Sequence, residues 1–188
     1  MILPIVAYGH PTLKKVAQDI ESSYPGLEKL IEDMWETMYG ANGVGLAAPQ
    51  VNKSIRLFVI NATPYAEEYP ETNGFKKVFI NAHILEEAGE EIEINEGCLS
   101  LPGMSEEVSR KPKIVIKYVD ENFVPHEETY EGFIARVIQH EYDHIEGVLY
   151  VDRITPFRRM LLKGKLRDIS EGKVDVEYRM IFPALRRK

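Results

Sequence analysis

The sequence predicts an α+β domain in which antiparallel strands pack around one central helix, with a C-terminal helix and strand after it. Three observations lead there. Short apolar runs, "IRLFVIN", "KKVFIN", "EEIEINEG" and "KIVIKYVDE", have strand character and are separated by Pro, Gly and acidic turns. Near residue 132 the periodicity changes, and "FIARVIQHEYDHI" places Phe133, Val137, His140 and His144 on one helical face. Residues 155–188 then carry a second helical pattern followed by an alternating one. A chain of 188 residues fits a single domain, taken here as 1–188.

The first element is a helix. In "YPGLEKLIEDMWETMYGANG", Leu27, Leu30, Ile31, Met34, Trp35 and Met38 recur at three-and-four spacing, so one face is apolar and the helix ends near Gly40. A glycine-rich turn, "GANGVGLAAPQ", leads into the strand "IRLFVIN". The stretch "TPYAEEYPETNG" has the composition of an exposed loop, and the remaining strand-like runs follow it. On the central helix, Ile134, Ile138, Glu141 and Ile145 form the face beside that of His140. Arg136, Gln139, Tyr142 and Asp143 are left to meet solvent. "TPFRRMLLKGKLRDI" begins another helix, with Thr155 as its cap and Pro156 in its first turn. In "KVDVEYRMIF", Val174, Val176, Tyr178, Met180 and Phe182 alternate with polar residues and predict a closing strand.

Composition narrows the function classes. Apolar residues make up 44% and charged residues 28%, as in ordinary soluble domains. No apolar run is long enough to span a bilayer, and "MILPIVAYGHPTLKK" lacks the parts of a signal peptide. The single cysteine, Cys98, excludes an internal disulfide framework and fits a reducing compartment, so the cytoplasm is expected. The net charge of -7 is unevenly spread. Residues 153–188 hold 11 Lys/Arg against 4 Asp/Glu, whereas the preceding 152 residues hold 12 against 26. Such a basic segment either meets an anionic partner such as RNA or is a solvated helix with ordinary surface lysines. Neither a membrane nor DNA is expected as a partner.

The chemistry concentrates in "QHEYDH". One helical turn separates His140 from His144, so their imidazoles can converge on one ion, and the helix becomes a metal-binding one. Glu141 projects from the next face, within reach of a water on that ion. Without such a role, a carboxylate beside Ile134, Ile138 and Ile145 is costly to bury. Catalytic sites of this kind hold three protein ligands and leave one position for water. The extended protease pattern H-E-x-x-H-x-x-G-x-x-H is matched as far as Gly147, but Tyr150 stands where its third ligand belongs. The residue types leave open whether Cys98, Asp168 or Glu171 supplies that ligand. His10, His83 and His126 lack a partner at ligand spacing and read as structural or surface residues.

Three segments, "GVGLAAPQ" (43–50), "EGCLS" (96–100) and "QHEYDH" (139–144), resemble in order and separation the signature motifs of the peptide deformylase family. The resemblance runs from "ILPIVAYGHPTLKKVA" to about residue 155; the basic segment 155–188 is where members diverge. It implies removal of the formyl group from the N-terminal methionine of nascent N-formyl-methionyl peptides. It assigns Cys98, His140 and His144 as metal ligands with water in the fourth place, and Glu141 as the general acid/base. The family commonly uses Fe(II), which Zn, Ni or Co replaces in purified material, and a thiolate with two imidazoles suits all of these. A hydroxide attacking a formamide leaves charge on the former carbonyl oxygen, and one lost donor to that oxygen costs about 3–4 kcal/mol. The resemblance assigns those donors to the Gln50 side chain and the Leu99 N–H. Gly43 and Gly45 let a peptide approach the main chain, with Gly45 pairing to an extended substrate.

Helix geometry nominates Phe133 and Val137 for the methionine pocket, and the resemblance adds Val44 and Ile94. Arg136 departs from the apolar residue that members often carry there. It is expected to border the pocket mouth or to pair with an acid such as Glu131. Glu96 is expected to pair with Arg110 and brace the metal loop. The basic segment is the candidate for a ribosome contact. Two other classes fit parts of the sequence: a protease using Asp168 or Glu171 as third ligand, and an RNA-associated protein with a structural metal.

Overall fold

The computed structural model describes residues 1–183, so residues 184–188 of the basic segment lie outside the described residues. The chain opens with a two-residue strand, β1 (Ile5–Val6), and reaches helix α1 (Leu27–Gly40), which ends where the apolar pattern stops. Strands β2 (Gly45–Ala47), β3 (Leu57–Asn61) and β4 (Lys76–Ala88) follow, then β5 (Ile92–Cys98), β6 (Leu101–Arg110), β7 (Lys113–Val119) and β8 (Pro125–Glu131). The central helix, α2 (Gly132–Ile145), comes next, then α3 (Pro156–Leu161), α4 (Lys163–Ser170) and β9 (Met180–Ile181).

Five strands form an antiparallel sheet in the order β2-β3-β4-β7-β8. Both its faces are covered, which explains why "LFVI" in β3 is apolar without alternation. Leu57 and Val59 pack with Met34 and Met38 of α1. Phe58 and Ile60 pack with Ile134 and Ile138 of α2 on the opposite face. A separate hairpin, β5-β6, lies beside this sandwich. Its Leu101 and Val108 join Tyr150, Leu166 and Ile169 in a third apolar cluster. Among the described residues no helix is long and apolar enough to cross a membrane.

The architecture is the expected mixture of helices and antiparallel strands, with several local corrections. The C-terminal pattern holds two short helices that break at Leu162, not one, although Thr155 does cap the first by accepting from the Arg158 N–H at 3.2 Å. Of the predicted closing strand only Met180–Ile181 forms, and it pairs in parallel with Ile5–Val6. Strands β6 and β8 leave no strand signal in the sequence, because "LPGMSEEVSR" has a proline and a glycine among its first three residues and "PHEETYE" is mostly polar or charged. The expected exposed loop is also more ordered than its composition suggests. It holds two 3-10 turns, buries Thr72, and stacks Tyr69 on Phe133 with ring centroids 4.3 Å apart.

The largest correction concerns the outer face of α2. Arg136, Gln139 and Asp143 do not meet solvent; all three are buried. Periodicity detects apolar residues, whereas here the hairpin covers the helix with polar groups that satisfy its charges. Position 150 also has a physical account. Tyr150 is fully buried, and its hydroxyl donates to the Met104 carbonyl at 3.1 Å, so it is a core residue of the third cluster.

Candidate metal centre

Two elements bring the donor atoms together. The β5-β6 pairing shifts register between Gly97 and Cys98, which turns the chain at the end of β5 and presents the thiol toward α2. One ligand atom each from Cys98, His140 and His144 lies within 4.8 Å of the others, and Cys98 Sγ is 3.4 Å from His144 Nε2. The two imidazoles, one helical turn apart, meet edge to face at 79° with ring centroids 5.1 Å apart. Asp168 and Glu171 are not in this group; Glu171 pairs instead with Lys173 at 2.5 Å.

Behind the donors lies a buried ionic network. His140 Nδ1 meets Glu96 Oε2 at 2.9 Å, which leaves Nε2 free to face an ion. The Glu96 carboxylate is gripped in bidentate fashion by Arg110, at 2.6 and 2.9 Å. Arg110 also donates to Asp143 at 2.8 Å, and Asp143 is held from its other side by Arg153 at 2.5 and 2.6 Å. Arg136 adds bonds to Glu96 at 3.0 Å and to the carbonyls of Val108 and Ile92 at 2.8 and 2.6 Å. The expected Glu96–Arg110 pair is therefore present. The expected Arg136–Glu131 pair is not, because Glu131 meets Lys113 at 3.0 Å. Burial alone would raise the Glu96 pKa, but hydrogen bonds from His140 and Arg110, with Arg110's charge, hold it well below the usual carboxylate range.

Glu141 has the opposite environment. It is 3% exposed, its Oε2 has no hydrogen-bond partner, and burial pushes its pKa up to about 7. The carboxylate lies so close to β2 that a Cβ on Gly45 would stand 2.5 Å from Oε1. Gly45 is thus glycine in part to make room for Glu141. Gly43 has a similar reason, since its Cβ would stand 2.9 Å from Leu99 Cδ1.

Gln50 is oriented by its own turn. Its Oε1 accepts from the Ala47 N–H at 2.9 Å, so Nε2 points the other way, 3.5 Å from Cys98 Sγ and 3.3 Å from Ser100 Oγ. A cavity of about 850 Å³ opens on Gln50, Cys98, His140 and Glu141. Val44, Ile94, Phe133 and Val137 line it, and Gly43, Gly45, Leu99 and Arg136 also border it; His144 sits behind, fully buried. The remaining histidines lie elsewhere. His10 accepts from the Thr12 N–H at the start of a 3-10 turn, His83 faces Asp19 at 3.6 Å, and His126 meets Asp120 at 2.8 Å.

Sequence reasoning missed part of the wall. Tyr65, from the supposed loop, and residues 175–178 border the same cavity. The Tyr178 hydroxyl donates to the Leu99 carbonyl at 2.7 Å, across 79 positions of sequence. The alternation of residues 174–182 predicts a closing strand, but nothing local shows what Tyr178 meets.

Residues 2–160 match the family model described as polypeptide deformylase. A peptide deformylase of Christiangramia forsetii is 55% identical over 97% of this chain and 97% of its own length. The crystal structure of peptide deformylase from Thermus thermophilus superimposes with a TM-score of 0.80 at 38% identity, covering 93% of this chain and all of that one. A Met-Ala-Ser-bound structure of the Acinetobacter baumannii peptide deformylase gives a TM-score of 0.74 at 34% identity, over 82% of this chain and 99% of the other.

Proposed function

Because the chain belongs to the peptide deformylase family and is a hydrolase, we propose that it removes the formyl group from the N-terminal methionine of nascent peptides with a metal ion held by Cys98, His140 and His144. The observation that carries this reading is the convergence of those three donors beside a buried carboxylate oxygen, Glu141 Oε2, that has no partner. The donor set fits an ion. One soft thiolate and two imidazoles suit Fe(II), with Zn, Ni or Co as replacements, and Glu96 fixes which nitrogen His140 offers. When bound, such an ion acidifies a water and polarises the formyl oxygen.

Glu141 takes a proton from the attacking water and passes it to the departing amine. Burial, which disfavours its charged form, suits a carboxyl that must both take up and return a proton. The Gln50 Nε2–H and the Leu99 N–H donate to the oxygen on which charge develops, and the Ala47 bond holds Gln50 in that orientation before substrate arrives. The substrate lies extended along β2, an edge strand of the five-stranded sheet, and its methionine enters among Val44, Ile94, Phe133 and Val137. Tyr65 and Tyr69 flank Phe133, with ring centroids at 5.0 and 4.3 Å, and keep that wall rigid. Arg136 borders this cavity, but its guanidinium is committed to Glu96 and two carbonyls, so it shapes the pocket rather than gripping the peptide.

The test is formate release from a short N-formyl-methionyl peptide under anaerobic conditions with Fe(II), for wild type, Glu141→Ala and Cys98→Ser. Formate from wild type alone supports both assigned roles. Cleavage of an internal peptide bond without formate, surviving the Cys98 change, would sink the reading in favour of a protease. The basic surface of α3 and α4 suits a ribosome contact in the cytoplasm. Exposed Phe157 and Met160 lie there with exposed Lys163 and Lys165. Lys163→Glu with Lys165→Glu should then abolish ribosome co-sedimentation while leaving Tyr178 in place.

A further inference from the structure

The thiolate of Cys98 sits at the start of a very short connection. Cys98 pairs with Leu101, so only Leu99 and Ser100 join β5 to β6. Two-residue hairpin turns match the twist of their strands when the first central residue takes a positive φ, which Gly and Asn supply most readily. Neither Leu99 nor Ser100 has a positive φ. The turn therefore depends on its surroundings, and distant segments hold it. The Leu99 side chain lies against Gly43, the Ser100 hydroxyl accepts from Gln50 Nε2 at 3.3 Å, and the Ser100 carbonyl accepts from the Tyr8 N–H at 2.9 Å. The last contact is the Tyr178 hydroxyl, which donates to the Leu99 carbonyl at 2.7 Å. Tyr178 is half-buried, borders the cavity, and lies beyond residue 160, where the match to the family model ends. The Leu99 N–H, by contrast, meets no acceptor among the described residues.

We propose that Tyr178 is a positioning residue: by holding the carbonyl of Leu99 it keeps the N–H of the same residue aimed at the place where the oxyanion forms. This rests on deformylation as the reaction and on the Leu99 N–H as one of its donors. Each residue has only two soft dihedrals, so the directions of its N–H and its carbonyl are linked. Without the phenol oxygen the Leu99 carbonyl is free to turn toward water, and the N–H swings with it. A donor of this kind helps only when it is aimed before charge develops. The loss therefore falls on turnover rather than on binding.

The experiment compares wild type, Tyr178→Phe and Ile5→Val. Phenylalanine keeps the ring and removes one oxygen. Ile5→Val weakens the β1-β9 closure without touching the turn. With N-formyl-Met-Ala-Ser and the iron-loaded enzyme, Tyr178→Phe is expected to lower kcat about tenfold to a hundredfold, with KM within about twofold of wild type. Its affinity for unformylated Met-Ala-Ser should also stay within about twofold, because that product has no formyl oxygen to hold. In the zinc-loaded protein the Leu99 amide resonance should shift, and its order parameter should fall from about 0.85 toward about 0.6. Ile5→Val should lower the urea midpoint yet keep kcat and the Leu99 resonance at their wild-type values. A Tyr178→Phe enzyme whose kcat falls no further than that of Ile5→Val overturns the proposal. So does a fall in kcat matched by an equal loss of Met-Ala-Ser affinity, or one that leaves the Leu99 amide unmoved. No formate from the wild type means that the functional reading has failed, and this inference with it.

Discussion

Gly45 lies where a glycine's missing side chain serves a neighbour. The Glu141 carboxylate occupies the volume a methyl group would need, 2.5 Å from Oε1. Gly45→Ala is therefore expected to push Glu141 out of position and cut kcat by about 100-fold, the usual consequence of roughly 1 Å of misplacement. Its metal content should be unchanged, because the three atoms nearest to the added Cβ all belong to Glu141. Steady-state kinetics with metal analysis of the same sample checks both halves; loss of metal together with activity would point to a wider collapse. At this scale the sequence was informative wherever chemistry repeats locally. His140, Glu141 and His144 share one helix, whereas the residue types alone leave the third ligand open among Cys98, Asp168 and Glu171. The reason for Gly45 was not legible, since it depends on a carboxylate 96 positions away that only the packed fold brings alongside.

Helix α2 is fastened to the hairpin by charge rather than by an apolar seam. Arg110→Met would leave Glu96 and Asp143 buried without their shared partner. The expected cost is roughly 3–5 kcal/mol. Metal affinity should fall about 10- to 100-fold as His140 loses its support. Urea unfolding and chelator competition measure the two effects, and unchanged values in both would remove Arg110 from the site's support. A second polar cluster joins the main sheet. Glu128 accepts from Tyr118 at 2.6 Å, from Lys77 at 2.9 Å and from Tyr130. Burial opposes ionisation of Glu128, but the bonds from Tyr118, Tyr130 and Lys77 hold its pKa below the ordinary 4.5. A depressed carboxylate adds stability that is complete above 4.5 and drains away as pH falls below it. Glu128→Gln should accordingly flatten the loss of stability as pH falls below 4.5 relative to wild type, read from urea midpoints; an unchanged slope would count against the assignment. The sequence made α1, α2, β3 and β7 legible through their apolar period. It hid β6, β8 and the burial of Arg136 and Asp143, because polar groups satisfied across a tertiary interface leave no period behind.

The molecule as a whole is closed by a pairing between its two ends. Ile5 and Ala7 donate to the carbonyls of Arg179 and Ile181, each at 2.9 Å, and Tyr178 holds Leu99 from the same segment. A chain cut after residue 173 loses all three bonds. Its unfolding free energy should drop by at least about 3 kcal/mol, at roughly 1 kcal/mol per bond. Its kcat should also fall, because the Leu99 peptide is no longer held, yet Cys98, His140 and His144 are still there to retain the metal. A truncated protein as stable and as active as the full one would refute this. No periodicity could have foretold a parallel partner 175 positions distant. That distance also sets an order in time. Synthesis proceeds at roughly 5–20 residues per second, so β1 emerges and then waits roughly ten to thirty-five seconds before its partner strand is made. Only in the last part of that interval, while the 79 positions from Leu99 to Tyr178 are made, does the loop carrying Cys98 exist without its tether, and a chain whose translation stops short of residue 178 never acquires it.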